Sequence, residues 1–237
     1  MKKLILTTAA FALTAGFAMA DTVRMGTEGA YPPYNFINDK GEVDGFEREV
    51  GDELCKRAEL TCEWVTNEWD SIIPNLTGGN YDTIIAGMSI TDERKETIDF
   101  TQNYFPPAAS AYLAPGEDSD LMGAVAAQTG TIQADYVAKS GATLIEFATL
   151  DDTIAAVKSG EADAVFADKD ALAPFAEGQD LVWAGDDVPL GDGIGLGLRK
   201  SDSELKEKLN AAIQSMKDDG TLNTAITKWF GEEAKTF

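Results

Sequence analysis

The chain has 237 residues, with 41 Asp and Glu against 19 Lys and Arg, a formal net charge of −22 and no histidine. So acidic a protein repels nucleic acid and anionic membrane surfaces, and it lacks both the usual general base and the commonest metal ligand. The same charge fits attraction of small cations and plain solubility equally well.

Lys2 and Lys3, the apolar stretch from Leu4 to Phe17 and the small-x-small Ala18-Met19-Ala20 read as a secretory signal peptide over 1–20, cleaved after Ala20. The stretch is too short and too broken by Thr and Gly for a membrane span. Loss of its two lysines leaves 17 basic against 41 acidic residues, a charge of −24. Such an export signal implies a bacterial periplasm. In that oxidising compartment the even pair Cys55 and Cys62 reads as a disulfide. With no histidine and no third cysteine, a metal site or reactive thiol is not indicated.

The first strand is predicted at Thr22 to Thr27, followed by the turn-rich Glu28-Gly29-Ala30-Tyr31-Pro32-Pro33-Tyr34 and a hairpin-type turn at Asn38-Asp39-Lys40-Gly41. Phe46, Val50, Leu54 and Ala58 have helical spacing. Cys62 to Val65 reads as a second strand, and Asp70 as the cap of a helix carrying Ile72, Ile73 and Leu76 that ends at Gly78-Gly79. Tyr81 to Ala86 reads as a third strand.

This strand runs into IIAGMSITDERKETIDF at 84–100, the most informative stretch of the chain. Small residues at a strand end let a ligand approach the backbone. A serine and a helix N-terminus offer donors to an anion. Arg94 falls in the first helical turn, where the helix dipole disfavours a cation, and arginine grips a carboxylate with two parallel hydrogen bonds. A carboxylate site centred on Arg94 and Ser89 is one reading; a solvated arginine on a strand-to-helix turn is the other.

Phe105-Pro106-Pro107 interrupts the pattern, and a crossing to a second unit is placed at the strand Ala109 to Ala114. There Ala124–Ala127, Leu144–Phe147, Ala164–Ala167 and Leu181–Ala184 read as strands, with helices over Ile132–Lys139 and from Asp151-Asp152 to Ser159-Gly160. Asp168 ends the third of these strands. The glycine-alternating segment 191–200 crosses back, and the tail from Asp202 is helical, with Leu205, Leu209, Ile213 and Met216 on one face and Leu222, Ile226, Trp229 and Phe230 on another. Alternating strands and helices predict an α/β fold with largely parallel sheets, whose ligands bind beyond the strands' carboxyl ends. The expected lobes are 21–108 with 192–237, and 109–191, joined by two crossings with a cleft between them.

At this point the chain resembles a family. GTEGAYPPYNF at 26–36, GFEREVGDELCKR at 45–57, WDSIIPNL at 69–76, SITDERKETIDFT at 89–101, GTIQADY at 130–136 and GDGIGLGLRK at 191–200 are similar, in order and spacing, to the periplasmic solute-binding proteins of amino-acid ABC importers, most of all the lysine/arginine/ornithine binders. The resemblance implies a two-lobed type II periplasmic binding protein fold with a hinge, a monomer, no cofactor, and transient docking on a membrane ABC permease. It implies that Arg94, with backbone donors near Ser89 and Thr131, holds a ligand α-carboxylate. Asp168, the Ser89 hydroxyl and the Gly87 carbonyl would take the α-ammonium. Tyr31 and Trp69 would sandwich the side-chain stem, and Glu28 and Gln133 would meet its far end. The cysteine pair occupies the family's disulfide position.

The chain departs from its relatives at Ala86-Gly87, where many have two serines, at Ile132, where a hydroxyl is common, at the shorter segment from Asp168 to Asp192, and at Glu28, where Asp is common. Glu28 favours a cationic side chain, with cation–π support from Tyr31 and Trp69. The alternatives to that reading are a neutral amide such as glutamine, a larger cationic derivative such as an opine, or a role only in the local turn. Trp69 taken alone reads as core. An enzyme is not expected, because no nucleophile pair or metal cluster is present, although dehydratases are known on a similar scaffold.

Overall fold

The computed structural model describes residues 22–176 and 180–237; the export signal expected at 1–20 lies outside them. The chain opens with β1 (Thr22–Thr27) and a small antiparallel sheet of β2 (Ala30–Tyr31), β3 (Asn35–Ile37) and β4 (Val43–Asp44) around the predicted turn at 38–41. Helix α1 (Phe46–Arg57) follows, with Phe46, Val50 and Leu54 fully buried, acids in its first turn and Lys56 and Arg57 in its last, as the helix dipole favours. Gly45 enters it at φ 116°, where an added Cβ would meet the Tyr34 carbonyl at 2.6 Å.

β5 (Thr61–Thr66) pairs parallel with β1 along its whole length. Asp70 does not cap a helix: it lies inside a 3-10 turn, Trp69–Ser71, which runs into α2 (Ile72–Thr77). The third strand is only β6 (Thr83–Ile84), because the chain beyond it bends into the loop that carries Gly87 and Ser89. Helix α3 (Asp92–Thr97) is capped by the Thr91 hydroxyl, which accepts from the Arg94 N–H. An unpredicted strand, β7 (Asp99–Phe105), comes next.

β8 (Ala109–Ala114) then enters a second sheet with β9 (Ala124–Gln128), β10 (Thr143–Phe147), β11 (Ala164–Asp168) and β12 (Val182–Pro189). Helices α4 (Ile132–Ser140) and α5 (Leu150–Ser159) start on the threonine caps Thr131 and Thr149 and stop at left-handed glycines. Helix α6 (Lys169–Ala176) was not expected, and β12 runs longer than the predicted strand, through an irregularity after Ala184. The chain returns through β13 (Ile194–Leu198) to the first sheet and ends in α7 (Ser203–Asp218) and α8 (Thr221–Phe230).

The sheet orders are β5-β1-β6-β13-β7 and β10-β9-β11-β8-β12. In each, four strands run the same way and one runs against them, β13 in the first sheet and β8 in the second. This is a two-lobed α/β architecture of the type II binding-protein kind. The tail helices pack on the first lobe as expected, Leu209, Ile213, Met216, Leu222 and Ile226 being buried. Phe230 closes an aromatic cluster with Tyr34, Phe46 and Phe105 at centroid separations of 4.7, 5.2 and 4.8 Å. Cys55 at the end of α1 is bonded to Cys62 in β5, fastening that helix to the sheet edge.

Candidate functional site

The carboxyl ends of the parallel strands of both sheets face one cleft. Glu28 follows β1, Trp69 follows β5, Gly87 follows β6, Thr131 follows β9 and Asp168 ends β11. All nine sequence-predicted ligand residues (Glu28, Tyr31, Trp69, Gly87, Ser89, Arg94, Thr131, Gln133 and Asp168) line a single pocket, together with Ala86, Gln128 and Ile132. It encloses about 290 Å³ of space between atoms, the open solvent at its mouth included. Glu28 and Trp69 also border an open groove beside it, and Ser89 and Asp168 also border a smaller cavity at Tyr34.

The Arg94 guanidinium donates to the Ser89 carbonyl at 2.9 Å and lies 5.3 Å from the centroid of the Trp69 ring. Burial lowers its pKa to about 10, against the pull of Asp168 and other acids, so it stays a cation at neutral pH. Trp69 is both core and site: it is 9% exposed, packs in an apolar cluster, and its indole N–H reaches the Gly130 carbonyl of the second lobe at 3.3 Å. The Arg94 guanidinium reaches the same Gly130 carbonyl at 3.4 Å, so both side chains meet the turn before α4.

Asp168 is held from two directions. The Tyr31 hydroxyl donates to Oδ2 at 2.8 Å, and Gln133 Nε2 donates to Oδ1 at 2.9 Å and to the Ser110 hydroxyl at 3.0 Å. Gln133 thus stands against Asp168, and it is not the amide beside Glu28. Burial raises Asp168 to about 6, opposed first by the Tyr31 hydrogen bond. Thr131 caps α4 and donates to the Gln128 carbonyl at 2.7 Å, so its hydroxyl is engaged in shaping the turn.

Glu28 meets a residue that sequence reasoning passed over. Gln128 Nε2 donates to Glu28 Oε1 at 2.5 Å and to the Ala148 carbonyl at 3.0 Å. Burial raises Glu28 to about 7, with the Gln128 hydrogen bond working the other way. The signal for Gln128 was its place as the last residue of β9, the strand-end position that also delivers Asp168 from β11. A second unread residue is Glu47 of α1, wholly buried, which accepts from the Gly87 N–H at 2.6 Å.

A cation and an acid reach the pocket from opposite sheets, with aromatic faces between and a second acid toward the groove, an arrangement complementary in charge to the two ends of a small zwitterion. A family model for bacterial extracellular solute-binding proteins, family 3, matches residues 23–232. The chain belongs to this family. Among the curated members, the Lysine/arginine/ornithine-binding periplasmic protein of Escherichia coli (strain K12) is 32% identical over 231 residues, covering 90% of this chain and 89% of that one. Among solved members, a periplasmic His/Glu/Gln/Arg/opine family-binding protein from Silicibacter pomeroyi, in complex with lysine, is 72% identical, with a TM-score of 0.90 and coverage of 91% of this chain and 100% of that chain. An ancestral arginine-binding protein bound to glutamine is 36% identical, with a TM-score of 0.83, covering 90% and 100%. As a family 3 solute-binding protein, the chain uses its cleft to hold a solute.

Proposed function

We propose that this protein captures a cationic L-amino acid (lysine, arginine or ornithine) in the periplasm and presents it to a membrane ABC permease. The observation that carries the proposal is the opposition of Arg94 and Asp168 in one small pocket with Glu28 at its groove side. In this reading Arg94, with backbone donors near Ser89 and Thr131, binds the α-carboxylate. Asp168, Ser89 and the Gly87 carbonyl bind the α-ammonium, displacing the Tyr31 hydroxyl from Asp168. Tyr31 and Trp69 flank the stem. Glu28 meets the distal cation and exchanges the Gln128 amide for it, while Gln133 holds Asp168. The relative complexed with lysine supports the same class of ligand.

Closure follows from the division of labour. Arg94 and Glu28 belong to the first lobe and Asp168 to the second, so only closed lobes satisfy both ends of the zwitterion. We place the lobe boundaries at 21–108 with 192–237, and 109–191. The protein acts as a monomer and performs no chemistry on its ligand. A neutral amide is the second reading, favoured by the Glu28–Gln128 bond, in which this carboxylate accepts from an amide N–H, and by the relative bound to glutamine.

Isothermal titration with lysine, arginine, ornithine, histidine and glutamine, on the wild type and on Glu28→Gln, tests the proposal. A cationic ligand is expected to bind at micromolar Kd or tighter, roughly, and to lose affinity in the variant. If glutamine binds best and the substitution leaves its Kd unchanged, the cationic assignment fails.

A further inference from the structure

Glu47 has the exposure of a core residue and the chemistry of a surface one. It is 0% exposed and one position from the apolar face of α1, and among the described residues the groups bonded to it are neutral donors. Oε1 accepts from the Gly87 N–H at 2.6 Å and from the Tyr104 hydroxyl, and Oε2 accepts from Asn35 Nδ2 at 2.7 Å. Asn35, itself fully buried, uses its other end to accept from the Gly29 N–H at 2.7 Å. One carboxylate thus reaches two pocket rims, the peptide that enters Gly87 and, through Asn35, the peptide that leaves Glu28.

Both peptides need holding. Gly87 sits at φ +62° and Gly29 at φ +74°, and glycine leaves such peptides free to rotate. In a planar trans peptide, fixing the Gly87 and Gly29 N–H groups fixes the Ala86 and Glu28 carbonyls that share their planes. The Gly29 N–H can only donate, which dictates the orientation of the Asn35 amide: Oδ1 toward Gly29 and Nδ2 toward Glu47, whose oxygens then face donors on every side.

We propose that Glu47 is a positioning residue of the binding pocket, setting the Gly87 and Gly29 peptides through this hydrogen-bond chain and thereby setting affinity for the solute. The proposal rests on the amino-acid-binding reading above. It explains why a carboxylate is buried among neutral donors, a cost that an apolar residue at this position would avoid.

The chain of donors and acceptors gives the test. In Glu47→Gln, Oε1 can keep Gly87 and Tyr104, but the new amide then faces the Asn35 amide, donor to donor. Turning Asn35 over moves the conflict to the Gly29 N–H. Asn35→Asp combined with Glu47→Gln restores every pairing at unchanged net charge: the new carboxylate at position 35 accepts from the new amide at position 47 and from the Gly29 N–H. Lysine and arginine titrations on folded protein are expected to show about tenfold weaker binding in Glu47→Gln and recovery to within about threefold of wild type in Asn35→Asp/Glu47→Gln. In the wild type itself, the Gly87 amide proton should resonate well downfield and exchange slowly, a readout available even if the single variant does not fold.

A folded Glu47→Gln with wild-type affinity, a double variant that folds without regaining affinity, or an ordinary Gly87 amide shift would each overturn the proposal. A wild type that binds neither lysine nor arginine would overturn the cationic-ligand reading and this inference with it. A binding wild type beside an unaffected variant would overturn this inference alone.

Discussion

The Tyr31 hydroxyl on the first lobe donates to the Asp168 carboxylate on the second at 2.8 Å. It is the donor that a ligand ammonium would replace. Tyr31→Phe removes it and leaves Oδ2 of a buried acid without that partner, which costs about 1–3 kcal/mol. The ligand-free melting temperature should fall, while the rise on adding lysine should be preserved or enlarged, because the ammonium supplies the missing donor. Scanning calorimetry with and without lysine checks both. A fall in the ligand-induced rise would mean that the hydroxyl itself holds the ligand.

Arg94 is expected to be the least replaceable residue. Arg94→Ala should weaken amino-acid binding by roughly thirtyfold or more, the cost of about 2–5 kcal/mol for leaving one partner of a buried charged pair alone. Arg94→Lys should recover little of this, since an ammonium cannot form the two parallel bonds that a guanidinium does. Titration of both variants with the best wild-type ligand is decisive, and a lysine variant within threefold of wild type would exclude bidentate capture.

The raised pKa of Glu28, about 7 through burial, makes a cationic ligand compete with a proton. Affinity for lysine should weaken as pH falls below about 7, by up to roughly tenfold per pH unit, and the slope should shrink in Glu28→Gln. The stability effect has the opposite sense. A carboxyl whose folded value lies above its unfolded value binds more protons when folded, so its contribution is present below the unfolded value near 4.5 and is lost as pH rises through about 7. Relative to wild type, ligand-free Glu28→Gln should therefore gain stability from pH 5 to pH 8. Melting curves of the pair across that range show the sign directly.

The Cys55–Cys62 bond closes a loop with a sequence separation of 7. Replacing both cysteines by serine should cost about 2–3 kcal/mol, a fall of roughly 5–10 °C in melting temperature. Neither cysteine lines the pocket, so the Kd for the ligand should not move.

Periodicity revealed the helices with clean apolar faces, such as Phe46–Val50–Leu54, and the strand ends revealed where a ligand would lie. It did not reveal α6, because Pro174 falls inside that helix and reads locally as a breaker. Strand β7 was hidden in a different way: its polar Asp99, Gln102 and Asn103 bond to helix α7, through Lys206, Asn210 and Lys217, partners more than a hundred residues away. Glu47 was illegible for a similar reason. An acid in the first turn of a helix is what the dipole favours on a surface, and only the arrival of Gly87, Asn35 and Tyr104 in three dimensions makes it interior. Gln128 offered a strand-end position but no charge to draw attention.

The place of β13 in the first sheet, between β6 and β7, bears on the order in which the molecule can be assembled. A chain emerging N-terminus first can complete the second sheet once Pro189 is out. The first sheet still has a gap at its middle then, and β7 has no neighbour in that sheet until Ile194–Leu198 arrives. Until that moment β6 and β7 each present an open strand edge. The lobe made first is therefore the lobe finished last, and a nascent chain stopped near residue 190 would be a target for holdase chaperones while its second lobe was already folded.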